Sequence, residues 1–237
     1  MRIFANCQEA ISEIQRDLYE MGVEVTSNSM QNKVVKGDDG FTTKELQGYS
    51  FTILDSGDKD SIANNLEWCE AEFKERINGW YAVDDFRQPY TPLNPGNAYK
   101  IRSEIWNQFL VDGKFCYTYN ERMHWQIKAV IEELKRNPNS RQAIIEVHSR
   151  KTDQDRMGGK SRIPCSMYYQ FMIRNGKLDV IYNMRSTDFL THFKHDIWLA
   201  CKLRDFMAEK VGIESGKYIM FASSLHAYKK DFPEGVF

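Results

Sequence analysis

The chain has 237 residues, of which 42% are hydrophobic and 27% charged, and its formal net charge is −1. This length allows a full hydrophobic core, and the nearly neutral charge argues against an extended basic surface for nucleic acid or a membrane. Five cysteines without CxxC spacing, no eighteen-residue apolar run and no apolar N-terminal segment predict a cytoplasmic protein without a disulfide framework, zinc site, membrane span or signal peptide.

The first half of the chain alternates predicted helices with predicted extended segments. A helix is expected over 7–21, because Asn6 can cap it, apolar residues recur at helical spacing and Gly22 follows. The other elements expected here are an extended segment over 23–25, a turn over 36–40, a strand over 49–54 and a helix over 61–77. A proline-containing loop then follows (Pro89, Pro92, Pro95), and it is either a lid or a plain surface connection.

The second half contains helices and strands that follow one another closely. Strands are expected over 143–147, from Cys165 onward, over 177–183 and over 217–223, a helix over 124–136 and a long helix within 189–210. Asn175-Gly176 predicts a tight hairpin turn, and the polar, glycine-containing segment 151–162 predicts a mobile loop. Because no linker divides the chain, we predict one α/β (α+β) domain over 1–237, with a large mixed β-sheet flanked by helices.

A cysteine follows a proline in the stretch Arg162-Ile163-Pro164-Cys165. Pro164 fixes its own φ and lacks a backbone donor, so the chain enters Cys165 through a stiff turn. A thiolate in such a turn can act as a nucleophile, yet free cysteines are among the most buried residues and often only pack. Taken alone, this stretch favours a packed cysteine.

Several motifs are arranged in a fixed order around this cysteine. They are Pro138-Asn139-Ser140-Arg141, Pro164-Cys165 with Gln170 five residues on, Arg185-Ser186-Thr187-Asp188, Asp196, and His226-Ala227-Tyr228. Their order over residues 117–230 resembles the thymidylate synthase family, and within it most closely the deoxycytidylate hydroxymethylases. Each residue has an ordinary alternative, such as a surface ion pair for an arginine, but the joint order favours the functional reading.

The resemblance implies that Cys165 is the nucleophile that adds to C6 of a pyrimidine ring. Such an adduct makes C5 nucleophilic and divides one difficult substitution into easier steps. The neighbouring Arg162 and Arg185 would favour the thiolate. Tyr117 matches a tyrosine that helps to remove the C5 proton. Arg185 and Ser186 match ligands of the substrate phosphate, for which bidentate arginine geometry is suited.

The remaining matches concern the sugar, the folate and a second subunit. His226 and Tyr228 match the pair that holds the sugar 3′-hydroxyl, and Gln170 belongs with the substrate-binding residues. Asp188 matches the residue that hydrogen-bonds the folate pterin. Arg141 matches a phosphate arginine that the second subunit contributes. The resemblance therefore implies a homodimer formed through the sheet, with 5,10-methylenetetrahydrofolate as co-substrate and no metal.

Asp196 bears on the identity of the base. Thymidylate synthases carry an asparagine eight residues after the aspartate of the Arg-Ser-x-Asp motif, where it pairs with uracil; here that position is Asp196, eight after Asp188. A carboxyl group can accept from the cytosine amino group and, if protonated, donate to N3, whereas against uracil O4 it sets acceptor against acceptor. Asp196 therefore favours cytosine, with a helix cap as its ordinary alternative.

The sequence departs from the family pattern at the proton relay and at the phosphate. The family's catalytic glutamate matches Asn65, two residues before Glu67, and an amide is neither an acid nor a base. Either the match is shifted, or Glu67 or another carboxylate takes the role, or water alone relays the proton. Two family phosphate arginines match Gln142 and Asp38, and the candidate substitutes are Lys33, Lys36 and Arg150.

The fate of the transferred methylene depends on water. Closure over the folate excludes water, and hydride then gives a methyl group, whereas water that reaches the methylene gives a hydroxymethyl group. The family's tryptophan over the cofactor matches a position near Arg102, with Trp106 nearby, and the chain ends nine residues after Tyr228 without the closing tail. Both features favour hydroxymethylation.

We therefore expect a folate-dependent C5-hydroxymethylase of a cytidine monophosphate, with dCMP as the preferred substrate and CMP as the other candidate. A dCMP C5-methyltransferase is the alternative, and a catalytically silent nucleotide-binding protein is a more remote one. We expect no direct binding to nucleic acid or to a membrane. The expected location is the cytoplasm, or the host cytoplasm if the source is a virus.

Overall fold

The computed structural model describes residues 1–31, 33–78, 80, 97–158 and 161–234. The proline-containing loop expected around Pro89, Pro92 and Pro95 lies outside these residues. The described residues form the strands β1 (Arg2–Phe4), β2 (Val23–Thr26), β3 (Ser29–Met30), β4 (Lys33–Val34), β5 (Thr42–Ile53), β6 (Ile144–Glu146), β7 (Ser166–Arg174), β8 (Lys177–Met184), β9 (Thr187–Asp188) and β10 (Glu214–Tyr228). The helices are α1 (Cys7–Met21), α2 (Lys59–Ile62), α3 (Leu66–Arg76), α4 (Asn97–Ile101), α5 (Ser103–Trp106), α6 (Tyr119–Arg136) and α7 (Phe193–Val211).

Eight strands form one mixed sheet in the order β1–β5–β10–β8–β7–β6, with β2 paired to β5 and β9 paired to β10. β10 runs antiparallel to β5 but parallel to β8, and β7 and β8 are antiparallel. The remaining strands, β3 and β4, pair with each other. This arrangement confirms the predicted α/β (α+β) fold, in which helices flank a large mixed sheet.

Helix α1 begins and ends where the sequence predicts. The side chain of Asn6 accepts a hydrogen bond from the Glu9 amide at 2.9 Å, and the Gly22 amide donates to the carbonyl of Leu18 at 3.1 Å. The first bond satisfies an amide that the helix itself leaves unpaired, and the second satisfies a carbonyl. Ile11, Ile14 and Leu18 are buried as their spacing predicts, whereas Met21, expected on the same face, is exposed.

The single helix expected over 61–77 is wrong, because the chain leaves helical geometry between α2 and α3. Asn65 has φ −146° and ψ 88°, and its side chain accepts a hydrogen bond from the Trp68 amide at 2.9 Å. Asn65 is therefore the cap of a new helix, a role for which asparagine is among the preferred residues. Apolar spacing continues across the break and hides it in the sequence.

The β7–β8 hairpin turn and the end of the last helix lie at residues that adopt positive φ angles easily. Asn175 and Gly176 have φ of 52° and 74°, which confirms the tight turn between β7 and β8. Helix α7 begins at Phe193, inside the predicted range, after β9 (Thr187–Asp188) has paired with β10. It ends at Gly212, whose φ of 88° is the left-handed conformation that glycine adopts easily.

The two faces of the sheet differ in what covers them. Helices α1 and α7 pack on the face that carries Tyr169, Phe171, Val180, Tyr182 and Met220, all of them buried. Tyr169 and Tyr182 stack with ring centroids 4.2 Å apart. The alternate residues point to the opposite face and are partly or fully exposed, namely Ile144, Tyr168, Gln170, Met172 and Phe221. An apolar sheet face of this kind is a surface on which another protein layer can pack.

No helix in the described part of the chain is long and apolar enough to cross a membrane. All five cysteines are described and none is disulfide-bonded; Cys7, Cys69 and Cys201 are buried, whereas Cys116 and Cys165 are partly exposed. Within the described ranges, no group of three or more His, Cys, Asp or Glu side chains is arranged to hold a metal ion.

Candidate active site

A cavity of about 1020 Å³ lies where the start of β7, the end of β10 and the first turn of α7 meet α3. Eight of the residues that the sequence nominates line it: Tyr117, Cys165, Arg185, Ser186, Asp188, Asp196, His226 and Tyr228. Residues far apart in the sequence therefore share one concave, partly polar surface of the kind that binds small molecules.

Cys165 lies directly before β7, and its thiol is partly exposed to this cavity. Three polar groups surround its sulfur: the Ser186 Oγ at 3.6 Å, the Arg185 Nη2 at 3.9 Å and the Gln31 Nε2 at 3.9 Å. All three can donate a hydrogen bond, and Arg185 also carries a positive charge. These groups bring hydrogen-bond donors and one positive charge to the sulfur, the atom that would attack a substrate.

Arg185 holds the turn that presents the cysteine. Its Nε donates to the carbonyl of Pro164 and its Nη2 to the carbonyl of Ile163, both at 2.9 Å, and its Nη1 lies 3.2 Å from the Ser186 hydroxyl. Its own amide donates to the carbonyl of Cys165 at 2.9 Å. A guanidinium has five N–H donors, and because Nη2 also donates to the Cys165 sulfur, one donor on Nη1 remains for an anion.

Arg162, the other arginine expected near the thiol, packs elsewhere in the cavity wall. Its guanidinium carbon lies 4.4 Å from the centroid of Phe109, 4.9 Å from that of Trp106 and 5.6 Å from that of Tyr117. These distances are within the range of favourable cation–π contacts. In the described structure the cation beside the Cys165 sulfur is therefore Arg185, and Arg162 organises an aromatic wall.

Asp196 lies in the first turn of α7 and faces the cavity. Its Oδ2 accepts a hydrogen bond from the Thr187 hydroxyl at 2.8 Å. Burial raises the pKa of the Asp196 carboxyl to about 7, while Thr187 and Arg76 act in the opposite direction and Asp188 adds to the rise. The alternative role as a helix cap is wrong, because α7 is preceded by His192 at the cap position.

Asp188, His226 and Tyr228 form a second group on the cavity wall. Asp188 pairs with His226 between β9 and β10, and its carboxylate accepts from the Thr191 hydroxyl at 2.6 Å. Burial raises the pKa of Asp188 and lowers that of His226, and the charge of each partner counters the shift of the other. The rings of His226 and Tyr228 meet edge to face, with centroids 5.2 Å apart.

A glutamate of α3 that the sequence does not nominate also lines the cavity. Asn65 caps α3, and Glu67 is exposed in the first turn of that helix, so neither reaches the cavity. Glu72, one turn beyond the buried Trp68, does line it and accepts from the Nε of Arg76 at 2.7 Å. The signal was available, because residues 68, 72 and 76 share one helix face and a glutamate there lies in a buried stripe.

Two tyrosines, rather than one, lie beside the nucleophile. Burial raises the pKa of Tyr117 to about 12. Tyr119, which the sequence reading missed, accepts a hydrogen bond at 3.2 Å from the hydroxyl of Ser166, the residue that follows Cys165. The Arg76 guanidinium carbon lies 3.8 Å from the Tyr119 ring centroid. Tyr119 is therefore tied both to the start of β7 and to the Glu72–Arg76 pair.

Two predicted substrate residues lie outside the cavity. Arg141 is exposed, and its carbonyl accepts a hydrogen bond from the Gln170 Nε2 at 2.9 Å on the open face of the sheet. Gln142 is also exposed there. Of the substitutes considered for the missing phosphate arginines, Lys33 lines the cavity, whereas Lys36 and Arg150 are exposed away from it. Arg156 lines the cavity and was not anticipated.

Three comparisons with known proteins bear on the family of this chain. The family model for thymidylate synthase matches residues 55–235. A protein of Methanocaldococcus jannaschii, provisionally named a thymidylate synthase, is 36% identical over 200 residues, which are 73% of this chain and 89% of that protein. A deoxyuridylate hydroxymethyltransferase of Bacillus phage SP01 is 32% identical over 142 residues, which are 53% of this chain and 37% of the phage protein.

Solved structures add a likeness of fold. Thymidylate synthase from T4 phage superposes with a TM-score of 0.64 at 20% identity, over 94% of this chain and 77% of that one. Thymidylate synthase A from Bacillus subtilis gives the same score at 17% identity, over 94% and 80% of the two chains. The reaction class of the family is folate-dependent transfer of a one-carbon unit to a pyrimidine nucleotide. On the extent of the family match and the identity to the archaeal relative, the chain belongs to the thymidylate synthase family.

Proposed function

We propose that this protein is a folate-dependent C5-hydroxymethylase of cytidine monophosphates, with dCMP as its preferred substrate. The observation that carries the proposal is Asp196, a carboxyl group that faces the cavity with its pKa raised to about 7. A carboxyl that is partly protonated near neutral pH can accept from the cytosine amino group and donate to N3 at the same time. Uracil offers the opposite pattern and leaves an acceptor of Asp196 facing O4.

The nucleophile in this proposal is Cys165, which adds to C6 of the base. Arg185 and Ser186 support that role, because they place donors near the sulfur and donors near the expected phosphate. Lys33 and Arg156 line the same cavity and are the candidates for the additional positive charge that a phosphate requires. Tyr117 and Tyr119 are the candidates for removal of the C5 proton.

We assign the carboxylate of the proton relay to Glu72 rather than to Asn65 or Glu67. Glu72 reaches the cavity, and its pairing with Arg76 fixes the orientation of the carboxylate. Arg76 also contacts the Tyr119 ring, so the same guanidinium, which stays protonated, holds Glu72 and Tyr119 as neighbours. This assignment selects one of the alternatives that the sequence left open, in which a different carboxylate takes the role.

The folate co-substrate fits the aromatic part of the wall. Trp106, Phe109 and Phe115 line the cavity and provide flat apolar surface for a ring system, and Asp188 offers a partly buried carboxylate to a pterin. When bound there, methylenetetrahydrofolate supplies the one-carbon unit. The role of this chain is to orient the two ligands and to control access of water.

The hydroxymethyl product is supported by the phage relative, which is named for hydroxymethyl transfer, although to deoxyuridylate. One observation favours the alternative methyl product. Trp106 lines the cavity beside Arg162, so a tryptophan is available to shield the folate even though Arg102 occupies the expected position. A dCMP C5-methyltransferase is therefore the second candidate function.

We also propose that the site is completed by a second copy of the chain. Arg141 lies on the open sheet face, where it cannot reach the cavity of its own subunit, and Ile144, Met172 and Phe221 offer apolar area around it. Packing of two such faces would bury this surface and carry Arg141 towards the partner's phosphate site.

The test is to incubate dCMP, CMP and dUMP separately with methylenetetrahydrofolate and to identify the product and the folate formed. We expect 5-hydroxymethyl-dCMP with tetrahydrofolate as the main outcome. Faster turnover of dUMP would contradict the assignment of the base, and a 5-methyl product with dihydrofolate would identify the methyltransferase.

Tritium release from [5-³H]dCMP tests whether the chain is a catalyst at all. A catalytically silent nucleotide-binding protein would release none. Cys165→Ser should lower the release at least about a thousandfold, because the covalent step is lost. Cys116→Ser is the matched control, since Cys116 is also partly exposed but its sulfur contacts the carbonyl of Arg162. Equal loss in both variants would remove the assignment of Cys165 as nucleophile.

A further inference from the structure

Glu45, Ser224 and His226 form a hydrogen-bonded chain along the cavity wall, all three lining it. The Ser224 hydroxyl donates to the Glu45 Oε2 at 2.5 Å and lies 3.1 Å from the His226 Nδ1. The pairing of β5 with β10 places these three side chains together. Glu45 and His226 are direct partners, and Ser224 lies two residues before His226 on the same face of the strand. None of the roles assigned above uses Glu45 or Ser224.

The direction of the hydrogen bonds between Glu45, Ser224 and His226 follows from the chemistry of the carboxylate and the imidazole. A carboxylate only accepts hydrogen bonds, so the single proton of the Ser224 hydroxyl is committed to Glu45. The Ser224 oxygen can then only accept from the ring. The proton between Ser224 and His226 therefore lies on Nδ1, and in a neutral imidazole the other nitrogen, Nε2, has a free lone pair.

The remaining surroundings of the ring agree with that proton position. A hydrogen bond with the backbone of Ser224 favours a proton on the ring, as do the charges of Asp188 and Glu45, whereas burial and Arg185 disfavour a second one. Burial is the largest influence and lowers the pKa of His226, so the ring is neutral at pH 7. Among the described residues, the Nε2 of His226 and the hydroxyl of Tyr228 have no hydrogen-bond partner.

We propose that Glu45 and Ser224 hold His226 in the Nδ1-protonated tautomer, so that its Nε2 accepts a hydrogen bond from the 3′-hydroxyl of the nucleotide sugar. The inference rests on the proposed nucleotide substrate and adds two positioning residues to its site. Tyr228 meets the His226 ring edge to face and is placed to donate to the same hydroxyl. The site thus selects a hydroxyl that both donates and accepts, and a 3′-deoxy sugar leaves both partners unsatisfied.

The first test reads the tautomer directly. Two-bond ¹H–¹⁵N spectra of protein labelled with ¹⁵N-histidine distinguish a protonated Nδ1 from a protonated Nε2, and the signals that disappear in His226→Gln identify this ring. We expect an Nδ1-protonated ring in the wild type. Glu45→Leu frees the Ser224 hydroxyl to donate to Nδ1, so we expect the Nε2-protonated form to appear. A wild-type ring protonated on Nε2 would overturn the proposal.

The second test measures the consequence for binding with dCMP and 2′,3′-dideoxy-CMP as probes. We expect the wild type to bind dCMP at least about tenfold more tightly, since one or two hydrogen bonds are at stake. Glu45→Leu should lose most of that preference by weakening dCMP alone. Glu45→Gln retains an acceptor oxygen and should keep the preference, and Ser223→Ala, at the exposed neighbouring serine, is the matched control.

The two binding outcomes separate this inference from the proposed function. If the wild type bound neither probe, the nucleotide substrate itself would be wrong. If it bound dCMP and the dideoxy analogue equally, the substrate would stand and the role of Glu45 and Ser224 would fall. A loss in Glu45→Leu that is equal for both probes would show a merely structural effect and would also overturn the proposal.

Discussion

In the proposed reaction, Asp196 connects recognition of the base to pH. Its pKa of about 7 means that the protonated form, which can donate to cytosine N3, decreases as the pH rises past neutrality. We expect the affinity for dCMP to fall by up to about tenfold per pH unit above that value. Titration calorimetry over roughly pH 5 to 9 would measure it.

Asp196→Asn provides the reference for that measurement. The variant shares the titration of the substrate phosphate and of every other group, so the difference between the two profiles isolates Asp196. Asparagine does not titrate, and its amide suits uracil, so the variant should also favour dUMP. Identical pH profiles for the two proteins would show that Asp196 is not the group that titrates on the base.

The same carboxyl group affects folding stability. Its pKa is raised from the ordinary aspartate value of about 4 in the unfolded chain, so the folded chain binds more protons between about pH 4 and 7. The free energy of unfolding therefore decreases as the pH rises through that window. The cost of burying the ionised Asp196 carboxylate is absent below the window and complete above it. In urea unfolding, Asp196→Asn should gain stability relative to the wild type as the pH rises, and a constant difference would contradict this.

Helix α3 carries both its cap residue Asn65, which we expect to act only in folding, and Glu72, which we expect to act in the reaction. Glu72→Gln keeps an oxygen for Arg76 but removes the acid–base function, so we expect tritium release from [5-³H]dCMP to fall by about a hundredfold or more with little change in stability. Glu67→Gln, at an exposed position on the same helix, is the matched control. Full activity in Glu72→Gln would show that water or another carboxylate transfers the proton.

Asn65→Ala tests the other end of the same helix. The substitution removes the acceptor for the Trp68 amide and should lower the free energy of unfolding by about 1 kcal/mol. Tritium release per folded molecule should stay close to that of the wild type, because Asn65 does not line the cavity. An activity loss like that of Glu72→Gln would instead place Asn65 in the chemistry.

The elements that the sequence predicted well are those whose ends carry their own signals. Helix α1 has Asn6 and Gly22 at its two ends, and the β7–β8 hairpin has Asn175-Gly176. The start of α6 was missed by five residues although Thr118 and Glu121 form a capping box, since the polar first turn masked it. Helix capping by Asn65 was missed because a tertiary break lay inside a continuous apolar pattern.

The site residues were likewise predicted only where a sequence motif marks them. Cys165, Arg185 and Asp196 were predicted as site residues because they lie in ordered motifs, and the fold brings all three to one cavity. Glu72 and Tyr119 were not, since a glutamate and a tyrosine on amphipathic helices have no motif of their own and become site residues only through packing. The contacts of Glu45 depend on strand register, which spacing along the sequence does not define.

At the scale of the whole molecule, the exposed position of Arg141 predicts shared active sites. Mixing Arg141→Ala subunits with Cys165→Ala subunits should restore activity that neither has alone. With random pairing, about a quarter of the sites would contain both residues, because half of the dimers are mixed and each has one intact site. Activity from mixtures of refolded or co-expressed subunits measures this.

The complementation experiment has a clear negative outcome. If the mixture stays inactive while each variant still forms dimers by analytical ultracentrifugation, Arg141 does not serve the partner's site. If neither variant nor the wild type dimerises, the open sheet face has another use. Lys128→Ala, at a partly exposed position of helix α6, provides a substitution that should leave the assembly unchanged.

If the proposed phosphate site is correct, the two carbonyls that Arg185 holds should affect how the protein distinguishes a nucleoside from a nucleotide. The guanidinium that would bind the phosphate is the same group that fixes Ile163 and Pro164, and with them the direction in which the Cys165 sulfur points. An anion on its free edge therefore steadies the attacking atom as well as the ligand. Deoxycytidine lacks that anion and would meet a poorly oriented thiol. We therefore expect it to differ from dCMP in the rate of attack by Cys165 as well as in affinity.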